Sequence, residues 1–93
     1  MKNNYSSINN LKKIRERRKL TLQELADKTG LGLYEIHFLE SDRLDLKKAR
    51  FETIKKLCEA LETTPYHLFV DKEYARSLLT ITKKYYGKQY ITK

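Results

Sequence analysis

The chain has 93 residues, which is the size of one domain and too short to enclose an active-site cleft beside its own core. Lysine and arginine outnumber aspartate and glutamate by 20 to 12, and the resulting net charge of +8 favours a polyanionic partner, of which nucleic acid is the natural candidate. The alternative is that the surplus lysines only keep the surface soluble.

Cys58 is the single cysteine, so no internal disulfide can form, and its place on an apolar helical face indicates core packing in a reduced compartment. No window approaches the roughly eighteen apolar residues that a membrane span needs, and residues 1–10 lack the apolar core of a signal peptide. We therefore expect a cytoplasmic protein with no membrane association.

The first predicted helix follows a polar, flexible N-terminus of residues 1–7. Ile8, Leu11 and Ile14 have the spacing of an amphipathic helix, and the basic run KKIRERRK at residues 12–19 is predicted to form its outer face. This helix is expected to pack across the next two.

A second helix is indicated by Thr21 and Glu24, which form a capping box in which each side chain satisfies a backbone N–H at the helix start. The apolar positions Leu22 and Leu25 then share one helical face. Gly30 can adopt the left-handed conformation that ends a helix, so a sharp turn is predicted directly after it.

The third helix is predicted to begin after Gly32, with Ile36 and Leu39 facing inward. Its outward positions are Leu33, Tyr34, His37 and Phe38. Two short helices joined by a tight turn form a helix-turn-helix motif, whose second helix can lie in the major groove of DNA. The third helix is therefore the candidate reading element.

Residues 41–48 lose helical periodicity and are predicted to form a loop. Its cations Arg43, Lys47 and Lys48 follow the outward-facing helix directly, so they are candidates for contacts with phosphates.

A fourth and a fifth helix complete the predicted core. Apolar residues recur at helical spacing over residues 51–61. Thr64 then stands at a cap position with Pro65 at the first helical position, which is a favoured helix entry. Leu68 and Phe69 are predicted to close the core.

Residues 70–93 form a C-terminal extension with two interpretations. Apolar and aromatic residues keep helical spacing behind Asp71 and predict a sixth helix. These residues are Tyr74, Leu78, Ile81 and Tyr85. β-Branched residues at 79–82 and 90–92 favour a β-hairpin instead. In either form the same four residues are candidates for a homodimer interface, and stacking of the tail tyrosines on nucleic acid is the alternative.

Residues from about Leu11 to Phe69 resemble the Cro and phage-repressor (XRE-type) helix-turn-helix family. The resemblance rests on RERRKLTLQELADKTGL, then IHFLE, then TIKKLCEALETTPYHLF. It implies an all-α fold, a five-helix lambda-repressor-like domain at residues 8–69 that binds duplex DNA, usually as a homodimer.

The resemblance also implies roles for individual residues. The places that usually read bases hold Leu33, Tyr34, His37 and Phe38. Apolar groups can contact thymine methyls, so an A·T-rich target is expected. Leu22 stands where members commonly carry a phosphate-binding glutamine, and Gln23 follows one step later. Arg43, Lys47 and Lys48 are the other expected phosphate contacts, on a connector that lacks the family's usual glycine-containing turn.

We therefore expect a sequence-specific regulator of transcription, most simply a repressor that binds a pseudo-palindromic operator in double-stranded DNA as a homodimer. The alternative is a protein-interaction module or antitoxin-like partner that keeps the scaffold and docks a protein through its aromatic third helix or its C-terminal tail. No glycine-rich phosphate loop and no Cys–His pair at useful spacing is present, so no enzyme activity, cofactor or metal is expected.

Overall fold

The computed structural model describes residues 9–86, and within them every regular element is helical. The elements are α1 (Leu11–Arg17), α2 (Leu22–Thr29), α3 (Leu33–Glu40), a short 3₁₀ turn (Leu46–Lys48), α4 (Phe51–Leu61), α5 (Pro65–Leu68) and α6 (Lys72–Tyr86). The predicted all-α fold, with five helices and an extension, is confirmed.

The boundaries of α2 and the turn that follows it are determined by local sequence. Thr21 Oγ1 accepts a hydrogen bond from Glu24 N at 3.0 Å, and the Glu24 carboxylate accepts one from Thr21 N at 2.8 Å, so the predicted capping box is present. Gly30 has a φ of +77°, a left-handed conformation that glycine adopts without steric strain. Gly32 precedes α3, so both predicted helix boundaries are confirmed.

One hydrophobic core holds the helices together. Its members with no exposed surface are Leu11, Leu25, Ile36, Leu46, Leu57, Leu61, Leu68, Phe69 and Ala75. Leu39 and Cys58 are 2% and 1% exposed, so the thiol is a packing group as predicted. Because α3 contributes both Ile36 and Leu39, one of its faces is fixed against the core and the opposite face is left to solvent.

Arg15 departs from the outward basic face predicted for α1. It is only 8% exposed, and its guanidinium donates to the Glu40 carboxylate through Nε (2.5 Å to Oε2) and Nη2 (3.1 Å to Oε1). The prediction was wrong at this residue because Arg15 lies one turn after Leu11, on the buried side of α1. The ion pair joins α1 to the C-terminal end of α3.

The extension is helical in its described part. Asp71 Oδ1 accepts hydrogen bonds from the N–H groups of Glu73 and Tyr74, both at 3.1 Å, which satisfies the open donors at the start of α6. Residues 79–82 lie inside α6, so the hairpin interpretation is wrong there. Residues 90–92 lie outside the described residues.

The first half of α6 packs into the core. Ala75 is fully buried and Leu78 is 6% exposed, and the Tyr74 ring meets the Phe69 ring edge-on at 4.9 Å between centroids. Tyr74 and Leu78, two of the four predicted dimer residues, therefore contact their own chain. The side chains of the other two, Ile81 and Tyr85, lie outside the described part of the structure.

Candidate nucleic-acid interface

The solvent-facing side of α3 carries the predicted base-reading residues in three different environments. Tyr34 is 71% exposed and His37 is also exposed, so both side chains are free to meet a partner. Phe38 is half-buried. Leu33 is half-buried as well and packs against the core, so it offers less surface than its helical position suggested.

Three aromatic rings lie side by side on α3. The Phe38 ring centroid is 6.4 Å from that of Tyr34 and 5.7 Å from that of His37. The Arg43 guanidinium lies over the Phe38 ring at 5.3 Å, within the range of a cation–π contact. We name Tyr34, His37, Phe38 and Arg43 the α3 aromatic cluster; it presents apolar surface, a hydroxyl, an imidazole and one cation together.

Gln23 projects from the first turn of α2. It is exposed, and its Nε2 donates to Asp27 Oδ1 at 3.0 Å along the same helix. The neighbouring Leu22 is half-buried and packs against the core, so Gln23 is the polar side chain available at this helix start.

The loop after α3 is held by its own backbone and by Asn9. The N–H groups of Arg43 and Leu44 both donate to Phe38 O, at 2.9 and 3.1 Å, which folds the loop back onto the end of α3. Asn9 Nδ2 donates to Leu39 O at 3.1 Å and to Asp42 Oδ1 at 3.2 Å. The backbone of Arg43 is therefore held by Phe38, and the segment that precedes α1 holds its neighbour Asp42.

Asp42 occupies a strained place in this loop. Its φ of +65° lies in the left-handed region, which residues other than glycine adopt uncommonly. Its Oδ2 is buried and has no hydrogen-bond partner among the described residues. Burial, together with the negative charge of Asp45, raises the pKa of Asp42 above its usual value.

Lys47 and Lys48 differ in what they contact. Lys47 Nζ is 2.8 Å from Asp71 Oδ2 and 5.4 Å from the centre of the Tyr74 ring, so its charge is already paired. The hydrogen bond with Asp71 raises the pKa of Lys47, and the same bond lowers the pKa of Asp71. Lys48 is exposed.

Further cations counted in the net charge hold the fold together. Arg18 donates through Nε and Nη2 to the Leu61 and Glu62 carbonyls that end α4, at 2.8 and 2.9 Å. Lys72 Nζ donates to the carbonyls of Tyr66 and Phe69. The contacts of Arg18 were not predicted from the sequence because their acceptors are backbone atoms more than 40 residues later in the chain, whereas those of Lys72 lie three and six residues before it.

The described residues contain no group of three or more His, Cys, Asp or Glu side chains arranged to hold a metal ion. None of the helices in this part of the chain is long and apolar enough to cross a bilayer.

Comparison with known families gives a match for most of the chain. A family model described as a helix-turn-helix domain, of the Cro/XRE-like type, matches residues 8–73. The match covers more than half of the chain and includes every helix from α1 to α5 together with the start of α6. No curated protein and no solved structure matches the chain at a significant level.

Proposed function

Since this chain belongs to the helix-turn-helix domain family, we propose that it is a sequence-specific regulator of transcription that places α3 in the major groove of duplex DNA. The observation that carries the proposal is the division of α3 into two faces. Ile36 and Leu39 fix the helix to the core, and Tyr34 at 71% exposure and His37 are left open on the other side.

The α3 aromatic cluster supplies the chemistry for reading bases. Phe38 and the ring of Tyr34 can contact the C5-methyl group of thymine, the Tyr34 hydroxyl can bond a base edge, and His37 can donate to guanine or accept from adenine or cytosine. No arginine on α3 offers a bidentate contact with guanine. An A·T-rich target is the expected preference, and Leu33 contributes at most its exposed edge.

Phosphate contacts supply most of the affinity in this proposal. Three side chains are the first candidates for phosphate contacts. Gln23 lies at the start of α2, before α3 in the sequence, and Arg43 and the exposed Lys48 lie in the loop that follows α3. Lys47 is the fourth candidate, but its contact with Asp71 has to be exchanged for a contact with DNA.

We further propose that the chain acts as a homodimer through the second half of α6. Tyr74 and Leu78 are occupied within the protomer, so Ile81 and Tyr85, which continue the same helical spacing, are the remaining interface candidates. Two α3 helices about 34 Å apart would then meet successive major grooves of a pseudo-palindromic operator. Repression follows from occupation of promoter DNA.

A second candidate function is docking of a protein partner, as in an antitoxin-like module. It is favoured by one observation: α3 carries no lysine or arginine, and the acidic Glu35 is exposed on it. A carboxylate on α3 repels the phosphate backbone of DNA. An apolar cluster surrounded by charges of both signs is typical of a surface that binds a protein.

The test is a selection of bound sequences from a randomised duplex pool, followed by titration of the recovered duplex at several salt concentrations. Tyr34→Ala and Phe38→Ala are expected to reduce the preference for the recovered sequence by about tenfold each, since one base contact contributes about 1–3 kcal/mol. Binding to unrelated duplex should stay unchanged. Val70→Ala, which shortens an apolar residue 44% exposed between α5 and α6, is the matched control.

An enriched inverted repeat, lost in the α3 variants and kept in the control, supports the proposal. Absence of enrichment contradicts it, and co-purification of a stoichiometric protein that depends on Tyr34 and Phe38 would favour the docking function instead.

A further inference from the structure

Asp71 connects the interface to the C-terminal helix through one side chain. Its Oδ2 lies 2.8 Å from Lys47 Nζ in the loop after α3. Its Oδ1 accepts from the N–H groups of Glu73 and Tyr74 at the start of α6. The carboxylate is therefore held in place by the helix and offers its second oxygen to Lys47.

Tyr74 strengthens the same connection. Its hydroxyl donates to the backbone carbonyl of Lys47 at 2.7 Å, and its ring lies beneath the Lys47 ammonium. Asp45 accepts from Lys47 N at 3.0 Å, so a second carboxylate lies close to this lysine. The loop is fixed in position, and the charge of its half-buried lysine is compensated from within the chain.

We propose that Asp71 sets the affinity of the DNA interface: it occupies Lys47, and a DNA phosphate must displace the Asp71 carboxylate before Lys47 contributes to binding. This inference rests on the proposed function. It makes Asp71 a positioning residue outside α2 and α3 that acts on DNA only through Lys47.

The exchange has a measurable consequence in salt dependence. A lysine that is free in solution adds about one to the number of counterions released when it meets a phosphate. A lysine that leaves a carboxylate adds less, because the freed Asp71 attracts a cation from solution as DNA releases one. In the native chain, Lys47 therefore adds little to the slope of log K against log salt.

Asp71→Asn tests the proposal because the asparagine oxygen can still accept from the start of α6 while the charge that holds Lys47 is removed. Asp71→Ser, which keeps a capping oxygen, replaces this variant if it does not fold. Glu59→Gln is the matched control: it removes one negative charge from another surface ion pair, Lys55 Nζ to Glu59 Oε2 at 2.8 Å. The probe is a mixed-sequence duplex, titrated between about 50 and 200 mM salt with the full chain.

In Asp71→Asn, affinity is expected to rise about fivefold at 150 mM salt, and the slope of log K against log salt should steepen by about one. The double variant Asp71→Asn/Lys47→Ala should return to the native slope, and Glu59→Gln should leave the slope unchanged.

The proposal is overturned if Asp71→Asn and Glu59→Gln change the affinity and the slope of log K against log salt equally. It is also overturned if the gain in affinity persists in the double variant, because the gain would then come from the change in net charge. In either case salt-dependent binding by the native chain leaves the proposed function standing. If the native chain shows no salt-dependent binding of duplex, both are overturned.

Discussion

The packing of α6 against the core predicts that the C-terminal extension is required for stability. Leu78 is 6% exposed, and Leu→Ala changes at buried sites cost about 2–5 kcal/mol. We expect Leu78→Ala to lower the free energy of unfolding by about 2 kcal/mol, near the lower limit because the residue lies at the edge of the core. Arg76→Ala, an exposed change on the same helix, should stay within about 0.5 kcal/mol of the native value.

Ending the chain after Phe69 should have a larger effect. It removes the burial of Leu78, the edge-on contact between Tyr74 and Phe69, and the hydrogen bond from Tyr74 to the carbonyl of Lys47. These contribute about 2, 1 and 1 kcal/mol, and Phe69, now fully buried, becomes exposed. Because domains of this size unfold at about 5–15 kcal/mol, the shortened chain is expected to lose a large part of its stability.

Urea denaturation followed by circular dichroism measures these differences, at two protein concentrations for each variant. A contact within the protomer lowers stability equally at both concentrations, whereas a contact between copies makes the midpoint depend on concentration. The reasoning is refuted if a chain ending at Phe69 unfolds with the native free energy, or if Leu78→Ala matches Arg76→Ala.

Two further predictions concern the segments that position α3. Arg15→Met should lower the free energy of unfolding by about 3–5 kcal/mol, because it leaves the Glu40 carboxylate buried without its partner. The double variant Arg15→Met/Glu40→Leu should recover most of that loss. Thermal unfolding measures both, and equal stability of the single and double variants would contradict the expectation. Asp42→Asn should stabilise the fold on the order of 1 kcal/mol at neutral pH, because asparagine tolerates the left-handed φ and carries no charge. Since the pKa of Asp42 is raised on folding, the native chain loses stability as the pH rises from the unfolded value of 3.8 through the higher folded value. The gain should therefore be smaller at about pH 3, where the carboxyl is neutral in both states, than at about pH 7. A urea series that shows the same gain at about pH 3 and about pH 7 would disprove this cause.

The helix-turn-helix could be predicted from the sequence because its determinants are local. Thr21 and Glu24 are three residues apart, and Gly30 and Gly32 lie at the two ends of the turn they define. The inward faces of α2, α3 and α4 follow from apolar spacing in the same way. Each of these patterns is complete within about three helical turns of the chain.

The missed features depend on contacts between distant segments. A signal for the buried Arg15 was present, since Arg15 follows Leu11 by four residues and Glu40 follows Ile36 by four, which places opposite charges on the buried faces of two helices. The pairing of Lys47 with a residue 24 positions later has no such local signal. Sequence spacing identifies where a cation lies on its own element, and the fold decides whether that cation is available to a ligand.

Because Cys58 is buried, the rate at which its thiol is chemically labelled measures the opening of this domain. The thiol is 1% exposed on α4, in the centre of the core that fixes α3. Thiol reagents require an accessible thiolate, so modification of Cys58 can proceed only as fast as the core opens. With no second cysteine in the chain, the time course of labelling reports one event, and any ligand that binds the closed form alone should slow it in proportion to its occupancy.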